Sequence, residues 1–187
     1  QYWGHYEGRE LLNEYYARDN FGMDPERVDM LKTAYGYANP YFPEEGSDTA
    51  FYTMSNFILD NDMDDPANFA QAQSLIDLEN WVDYFASEIY TANVDWFSSI
   101  YFNNTRIFRG GHNDAFRKKW RFVLWDMGST QGVYNGVGYD MLNEALAAPA
   151  YNNRWTDMMN QLLVNAEFKR YFINRFADLL NEYWTPT

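Results

Sequence analysis

Between Asp77 and Asn93 the residues Leu78, Trp81, Val82, Phe85 and Ile89 recur at helical spacing. This is the feature that most constrains the fold. It draws one broad apolar face along an α-helix, and such a face must be covered by a second layer. Two similar stripes follow near the end of the chain. Trp155, Met158, Met159, Leu162 and Leu163 make one, and Phe168, Phe172, Phe176, Leu179 and Leu180 make the other. Upstream, Tyr6 to Asp19 reads as a helix stopped by Gly22. Asp24-Pro25-Glu26 has the form of a cap with proline at the first helical position, which predicts a helix to about Tyr35. Residues 36–46 hold two glycines and two prolines and predict a loop. Ser47 or Asp48 starts a helix to about Leu59, the acidic run from Asp60 to Asp65 interrupts it, and Pro66 restarts a helix to about Leu75. The strand-like runs are Ser99 to Phe108 and Lys118 to Asp126, with a glycine-containing loop between them that predicts a hairpin. The expected fold class is therefore α+β and mainly helical, one domain over residues 1–187, carrying one antiparallel β-hairpin.

Composition removes several function classes. The 187 residues carry 14 Lys and Arg against 27 Asp and Glu, a formal charge of −13. A duplex nucleic-acid partner and an anionic membrane surface both call for a basic face, so neither is expected. No apolar run approaches membrane-spanning length, so membrane insertion is not expected either. With no cysteine there is no disulfide scaffold, thiolate metal site or cysteine nucleophile, and two histidines do not make a multi-histidine metal centre. Aromatic residues make up 20% of the chain, enough to serve both a core and polar-edged grooves.

Two acids differ in setting from the rest. Asp95 lies in Asn93-Val94-Asp95-Trp96, just past the apolar helix and before the first strand run. Asp126 ends the second run in Leu124-Trp125-Asp126-Met127-Gly128. A carboxylate among Trp and Leu is costly to bury without a cation, a metal or several backbone donors. Each acid therefore either caps a turn or pairs with an arginine, or else does chemistry. Two acids bracketing one hairpin suit metal-dependent phosphoryl transfer. One orients the acceptor hydroxyl and takes its proton, and the other holds Mg²⁺ against the phosphates.

Four stretches carry a resemblance to a known family. They are Tyr2-Trp3-Gly4-His5-Tyr6 with Arg9-Glu10 and Asn13-Glu14, then Ile76-Asp77-Leu78-Glu79-Asn80-Trp81-Val82-Asp83-Tyr84-Phe85, then Asn93-Val94-Asp95-Trp96, then Lys119-Trp120-Arg121-Phe122-Val123-Leu124-Trp125-Asp126. In order and spacing the chain resembles the CotH kinase family, the spore-coat-protein kinases and their secreted bacterial relatives. The resemblance implies an atypical protein-kinase-like fold that uses ATP and Mg²⁺ or Mn²⁺ to phosphorylate protein Ser/Thr. It implies Asp95 as the catalytic acid, Asp126 as the metal ligand, and Asn93, Ser99 and Lys119 as cofactor-contacting positions. It also implies a secreted or cell-surface location. Gly128 stands where relatives often carry a second acid, and Ser98-Ser99 stand where many carry an asparagine pair. The resemblance further implies that these residues answer to the family's larger, helical lobe, with no counterpart expected here to its upstream small lobe and nucleotide-contacting lysine. The alternative function is a non-catalytic extracellular or cell-surface binding module derived from the same fold.

Other features have competing readings. Arg106, Arg109, Arg117, Lys118, Lys119 and Arg121 form a positive island, read either as a phosphate or acidic-partner surface or as a solvated hairpin tip. Asp60, Asp62 and Asp64 resemble a calcium loop but lack its Gly and Glu, which leaves incidental Ca²⁺ binding or a plain helix–helix turn. Tyr35, Tyr37, Tyr41, Phe42, Tyr134 and Tyr139 either stack on sugars or cover the core under loops. Glu7 and Glu10 read as acids favouring a helix start rather than a glycosidase pair. Asn103-Asn104-Thr105 is a glycosylation sequon.

Overall fold

The computed structural model describes residues 4, 8–33, 42–96, 103–111, 115–136, 138–146 and 154–184. Helix α1 (Glu14–Phe21) opens the described part and leads through a 3-10 turn (Pro25–Arg27) into β1 (Val28–Lys32). Strand β2 (Phe42–Glu45) follows, then helices α2 (Thr49–Asp60), α3 (Pro66–Leu75) and α4 (Leu78–Tyr90). Strands β3 (Arg106–Gly110) and β4 (Arg121–Val123) form the hairpin, and α5 (Met141–Leu146), α6 (Arg154–Val164) and α7 (Ala166–Glu182) close the order. The strands make one antiparallel sheet in the order β2-β1-β3-β4.

Local chemistry explains most boundaries. The Asn13 side chain accepts from the backbone N–H groups of Tyr15 and Tyr16 and starts α1, while Gly22 ends it in the left-handed region at φ 62°. The helix thus begins at Glu14, later than the Tyr6 start expected. Glu10 accepts from the Asn20 amide at 2.8 Å instead of sitting in a first helical turn, and Glu7 lies outside the described residues. Asp65 caps α3 with Pro66 at its first position, as the sequence indicates.

The sequence misleads at Asp24-Pro25. Asp24 does cap a turn there, but only one turn forms before the chain extends into β1. The reason is tertiary. Val28 and Met30 bury on one face of the sheet and Leu31 on the other, past a register shift against β2. Strand β1 pairs along its whole length with β3, from Val28 opposite Gly110 to Lys32 opposite Arg106. The expected single hairpin is therefore one half of a four-stranded sheet. The second run is also shorter than expected: it leaves the sheet after Val123, and Leu124 is exposed.

The sheet separates two cores. Leu12, Ala17 and Met23 pack from the α1 side onto Val28, Met30, Phe108 and Val123. On the other face, Leu31, Ile107, Trp120 and Phe122 meet the helical layer. The α4 stripe supplies Trp81, Val82, Phe85 and Ile89 there, and α6 and α7 supply Trp155, Met158, Met159, Leu162, Phe168 and Phe172. Each large side chain so buried contributes about 1.5–3 kcal/mol from the area it removes from water. Tyr84 stacks on Phe122 with centroids 4.2 Å apart, and Trp81 meets the same ring edge-on at 4.9 Å. These contacts fix α4 on β4.

At least three of the six cations of the positive island are engaged inside the fold. Arg109 pairs with Asp29 across the β1–β3 register at 2.8 Å. Arg106 and Lys32 share Glu44, at 2.8 and 2.9 Å. Arg121 is 2% exposed and pairs at 2.9 Å with Asp77, the cap of α4. The acidic run forms a helix–helix turn in which Asp62 accepts from the Asp64 N–H and Asp65 caps α3. Among the described residues no three acidic, His or Cys side chains group to hold a metal ion, and no helix is long and apolar enough to cross a membrane. Tyr134 and Tyr139 are exposed, while Tyr35, Tyr37 and Tyr41 lie outside the described residues.

Candidate functional site

Helix α4 ends in a way that builds the Asp95 turn. The Ala92 N–H donates to the Ile89 carbonyl at 3.1 Å and the Asn93 N–H to the Glu88 carbonyl at 3.1 Å. Ala92 takes φ 51°. This is a Schellman termination, with an alanine in the left-handed position that glycine usually fills. It turns Asn93 back under the helix, where its side chain is fully buried. The Asn93 amide then works at both ends. Its Nδ2 donates to Glu88 Oε2 at 2.7 Å, and its Oδ1 accepts the Asp95 N–H at 3.0 Å.

The Asp95 carboxylate is half-buried and held from the far side. Asn104 Nδ2 donates to Oδ2 at 3.0 Å, and Asn103 Nδ2 approaches both oxygens at 3.3 and 3.4 Å. Asn104 sits at φ 51°, a conformation that asparagine tolerates better than most residues. By the resemblance, the position of the family's asparagine pair falls at Ser98-Ser99, which lie outside the described residues. An asparagine pair does reach Asp95, but from 103–104, a dipeptide the sequence marked only as a sequon. Nothing in a linear spacing signals that contact.

Asp126 is placed differently. It follows β4 by three residues, takes φ 51° and ψ 67°, and precedes the 3-10 turn Met127–Ser129 without capping it. It is exposed. Three contacts lay this loop against the Asp95 turn: Gln131 N–H to the Thr91 carbonyl at 2.7 Å, Val94 N–H to the Ser129 carbonyl at 3.2 Å, and Asn93 Nδ2 to Met127 Sδ at 3.8 Å. A Cβ built on Gly128 would stand 3.2 Å from Asp126 Oδ1. The position that lacks a second acid therefore opens directly onto the first one.

Positive charge reaches the same end of the sheet. Arg106 pairs in register with Val123 and Lys32, and its guanidinium lies 4.5 Å over the ring of Trp125, the neighbour of Asp126. Burial pushes the Glu44 carboxyl up, but hydrogen bonds from Arg106 and Lys32 outweigh it and leave its pKa below the ordinary value. Lys119 is at the other end of β4, in the hairpin turn, where its carbonyl accepts from Arg121 Nη1. The fold thus brings Asn93, Asp95 and Asp126 into adjoining loops and sets Lys119 apart. Ser99 lies outside the described residues.

Glu88 was not singled out from the sequence. It is fully buried, and its Oε1 makes no hydrogen bond. Burial raises its pKa to about 7, opposed by the hydrogen bond from Asn93 and by the nearby Tyr84 hydroxyl. A signal was present: Glu88 falls three residues after Phe85 and seven after Trp81, on the apolar face of α4.

The arrangement defines a class of protein: an α+β fold in which two acid-bearing loops meet at one end of a helix-backed antiparallel sheet. The chain belongs to the CotH kinase family, whose model, described as CotH kinase protein, matches residues 1–187. No curated protein and no solved structure matches it.

Proposed function

We propose that the chain is a kinase-like domain, the larger lobe of an atypical protein kinase, that transfers a phosphoryl group from ATP to protein Ser/Thr through Asp95 and Asp126. The observation that carries this reading is the contrast in their settings on adjoining loops. Asp95 is pre-oriented by two asparagine amides and a buried turn, as a residue that must meet a hydroxyl at fixed geometry should be. A carboxylate has about four lone-pair directions, so these bonds leave room for an acceptor hydroxyl. Asp95 would orient that hydroxyl and accept its proton.

Asp126 suits a divalent ion in its sparest form. It is exposed, it spends no bond on its own turn, and Gly128 leaves its Oδ1 open. Mg²⁺ is commonly held by one or two carboxylates, with waters and phosphates completing its shell. When bound, such an ion neutralises charge developing on the phosphates. Lys32 and Arg106 add positive charge near that end of the sheet.

A thermal-shift titration with ATP tests this, with and without Mg²⁺ or Mn²⁺, on the chain and on its Asp126→Asn and Asp95→Asn variants. The expected result is a metal-dependent shift that Asp126→Asn abolishes and Asp95→Asn retains, while Asp95→Asn abolishes phosphoryl transfer. A second reading, a non-catalytic binding module of the same fold, is favoured by Gly128 in place of a second acid. The absence of any shift at millimolar nucleotide refutes the kinase reading and supports that one.

A further inference from the structure

Glu88 is a carboxylic acid at full burial on the apolar face of α4, among Trp81, Phe85 and Ile89. An ionisable group there is expensive and is normally replaced by an apolar one unless it does something an apolar residue cannot. Its surroundings are specific. Oε2 accepts from Asn93 Nδ2 at 2.7 Å, and Oε1 has no hydrogen-bond partner. The Tyr84 hydroxyl, one turn back on α4, is also buried without a hydrogen bond of its own. Burial first, then Glu88, raises the Tyr84 pKa, and Thr105 opposes them. Thr105 directly follows Asn103 and Asn104, the residues on the Asp95 carboxylate, and its hydroxyl donates to the Asn103 carbonyl at 3.2 Å. One buried acid therefore stands behind both segments that hold Asp95.

We infer that Glu88 is the positioning residue of the Asp95 turn, fixing by its negative charge which way the Asn93 amide faces. An ionised carboxylate only accepts hydrogen bonds, so it compels Asn93 to present its NH₂ group inward. The Asn93 oxygen must then face outward, where it receives the Asp95 N–H. A protonated Glu88 can donate instead. It then tolerates the flipped amide, which would set an NH₂ group against the Asp95 N–H and release the turn. Among the described residues, the groups that bear on its ionisation are Tyr84 on the same helix and Asn93 on the turn, and no charged group contributes. The raised pKa places the change between the two forms near neutrality. The consequence for phosphoryl transfer rests on the reading of Asp95 given above, whereas the ordering of the turn does not.

Backbone hydrogen exchange of peptides covering residues 91–96, corrected for intrinsic rates, tests this at pH 6 and pH 8. In the natural chain, protection of the turn should be about five- to tenfold greater at pH 8, the difference between a charged and a neutral hydrogen bond. Glu88→Gln can still accept from Asn93 but cannot ionise, so it should fold and show the same protection at both pH values. Glu88→Leu removes the acceptor and should lower protection at both. A pH dependence that persists unchanged in Glu88→Gln overturns the inference, as does unaltered protection in a folded Glu88→Leu chain. If Glu88→Leu does not fold, the Glu88→Gln comparison alone decides. Nucleotide titration of the same samples separates the two readings: exchange that behaves as stated in a chain that binds no nucleotide leaves Glu88 in its role and removes the kinase reading.

Discussion

The two acid loops are built in opposite ways. The Asp95 loop is over-determined: a Schellman turn, a buried amide, a buried acid and two asparagines all fix one carboxylate. The Asp126 loop has its backbone fixed by bonds from Gln131 and Val94, but its carboxylate faces solvent with no cap to serve. Under the proposed roles, a group that must act at a set angle is held before the partner arrives, whereas a group that would grip an ion can be oriented by the ion itself. The difference teaches that order in a site is placed where geometry, rather than charge, is the scarce quantity.

The largest effect expected from disturbing this contrast concerns Glu88. Its folded pKa of about 7 lies above the ordinary carboxylate value of 4.5. The native state therefore holds its proton more tightly than the unfolded state, and stability falls as pH rises from about 4.5 through 7. The shift corresponds to about 3 kcal/mol in order of magnitude. Urea unfolding at pH 4.5 and pH 8 should show that loss in the natural chain and should lack it in Glu88→Gln, which should be the more stable chain at pH 8.

On the other loop, Asp126→Asn should leave unfolding free energy within about 0.5 kcal/mol, because the side chain is exposed. It should remove the whole metal-dependent nucleotide stabilisation, about 2.7 kcal/mol at a hundred times Kd. Next in size is Gly128→Asp, which puts a second carboxylate beside Asp126 Oδ1. Calorimetric titration with Mn²⁺ should then show affinity rising about tenfold, or about 1.4 kcal/mol, which would make the exposed loop a more complete ion site. Asn104→Ala removes one amide from Asp95 and should cost about 1 kcal/mol in denaturant unfolding. The smallest effect should come from Ala92→Gly, which relieves the left-handed residue that ends α4 and should stabilise by about 0.5 kcal/mol.

The helices were legible because their signals are local. Asp65-Pro66 marks the start of α3, and the stripe from Leu78 to Ile89 marks α4 with its buried face. Strand β1 was not legible, because its partner β3 is more than 70 residues away and the Asp24-Pro25 cap favours a helix until that partner arrives. The site divides in the same way. Asp95 and Asp126 stood out as acids among aromatic neighbours. Asn103 and Asn104 did not, since their role exists only once the chain returns to Asp95. The island from Arg106 to Arg121 looked free in one dimension, yet Asp29, Glu44 and Asp77, the acids that engage three of its arginines, come from other elements.

The way α4 meets β4 carries a further consequence. Asn80 donates to the Phe122 carbonyl at 3.1 Å and accepts the Phe122 N–H at 2.7 Å, so one side chain occupies both backbone groups of the outermost strand. The Trp120 carbonyl is taken by the Asp77 N–H and the Trp81 indole, and the Trp120 N–H by the Leu75 carbonyl. At the opposite border of the sheet, β2 carries Pro43, which has no N–H to offer. Each border thus carries a feature that disfavours pairing with a stray strand from another molecule. The contacts that seat the Asp95 helix therefore also guard the chain against templated self-association.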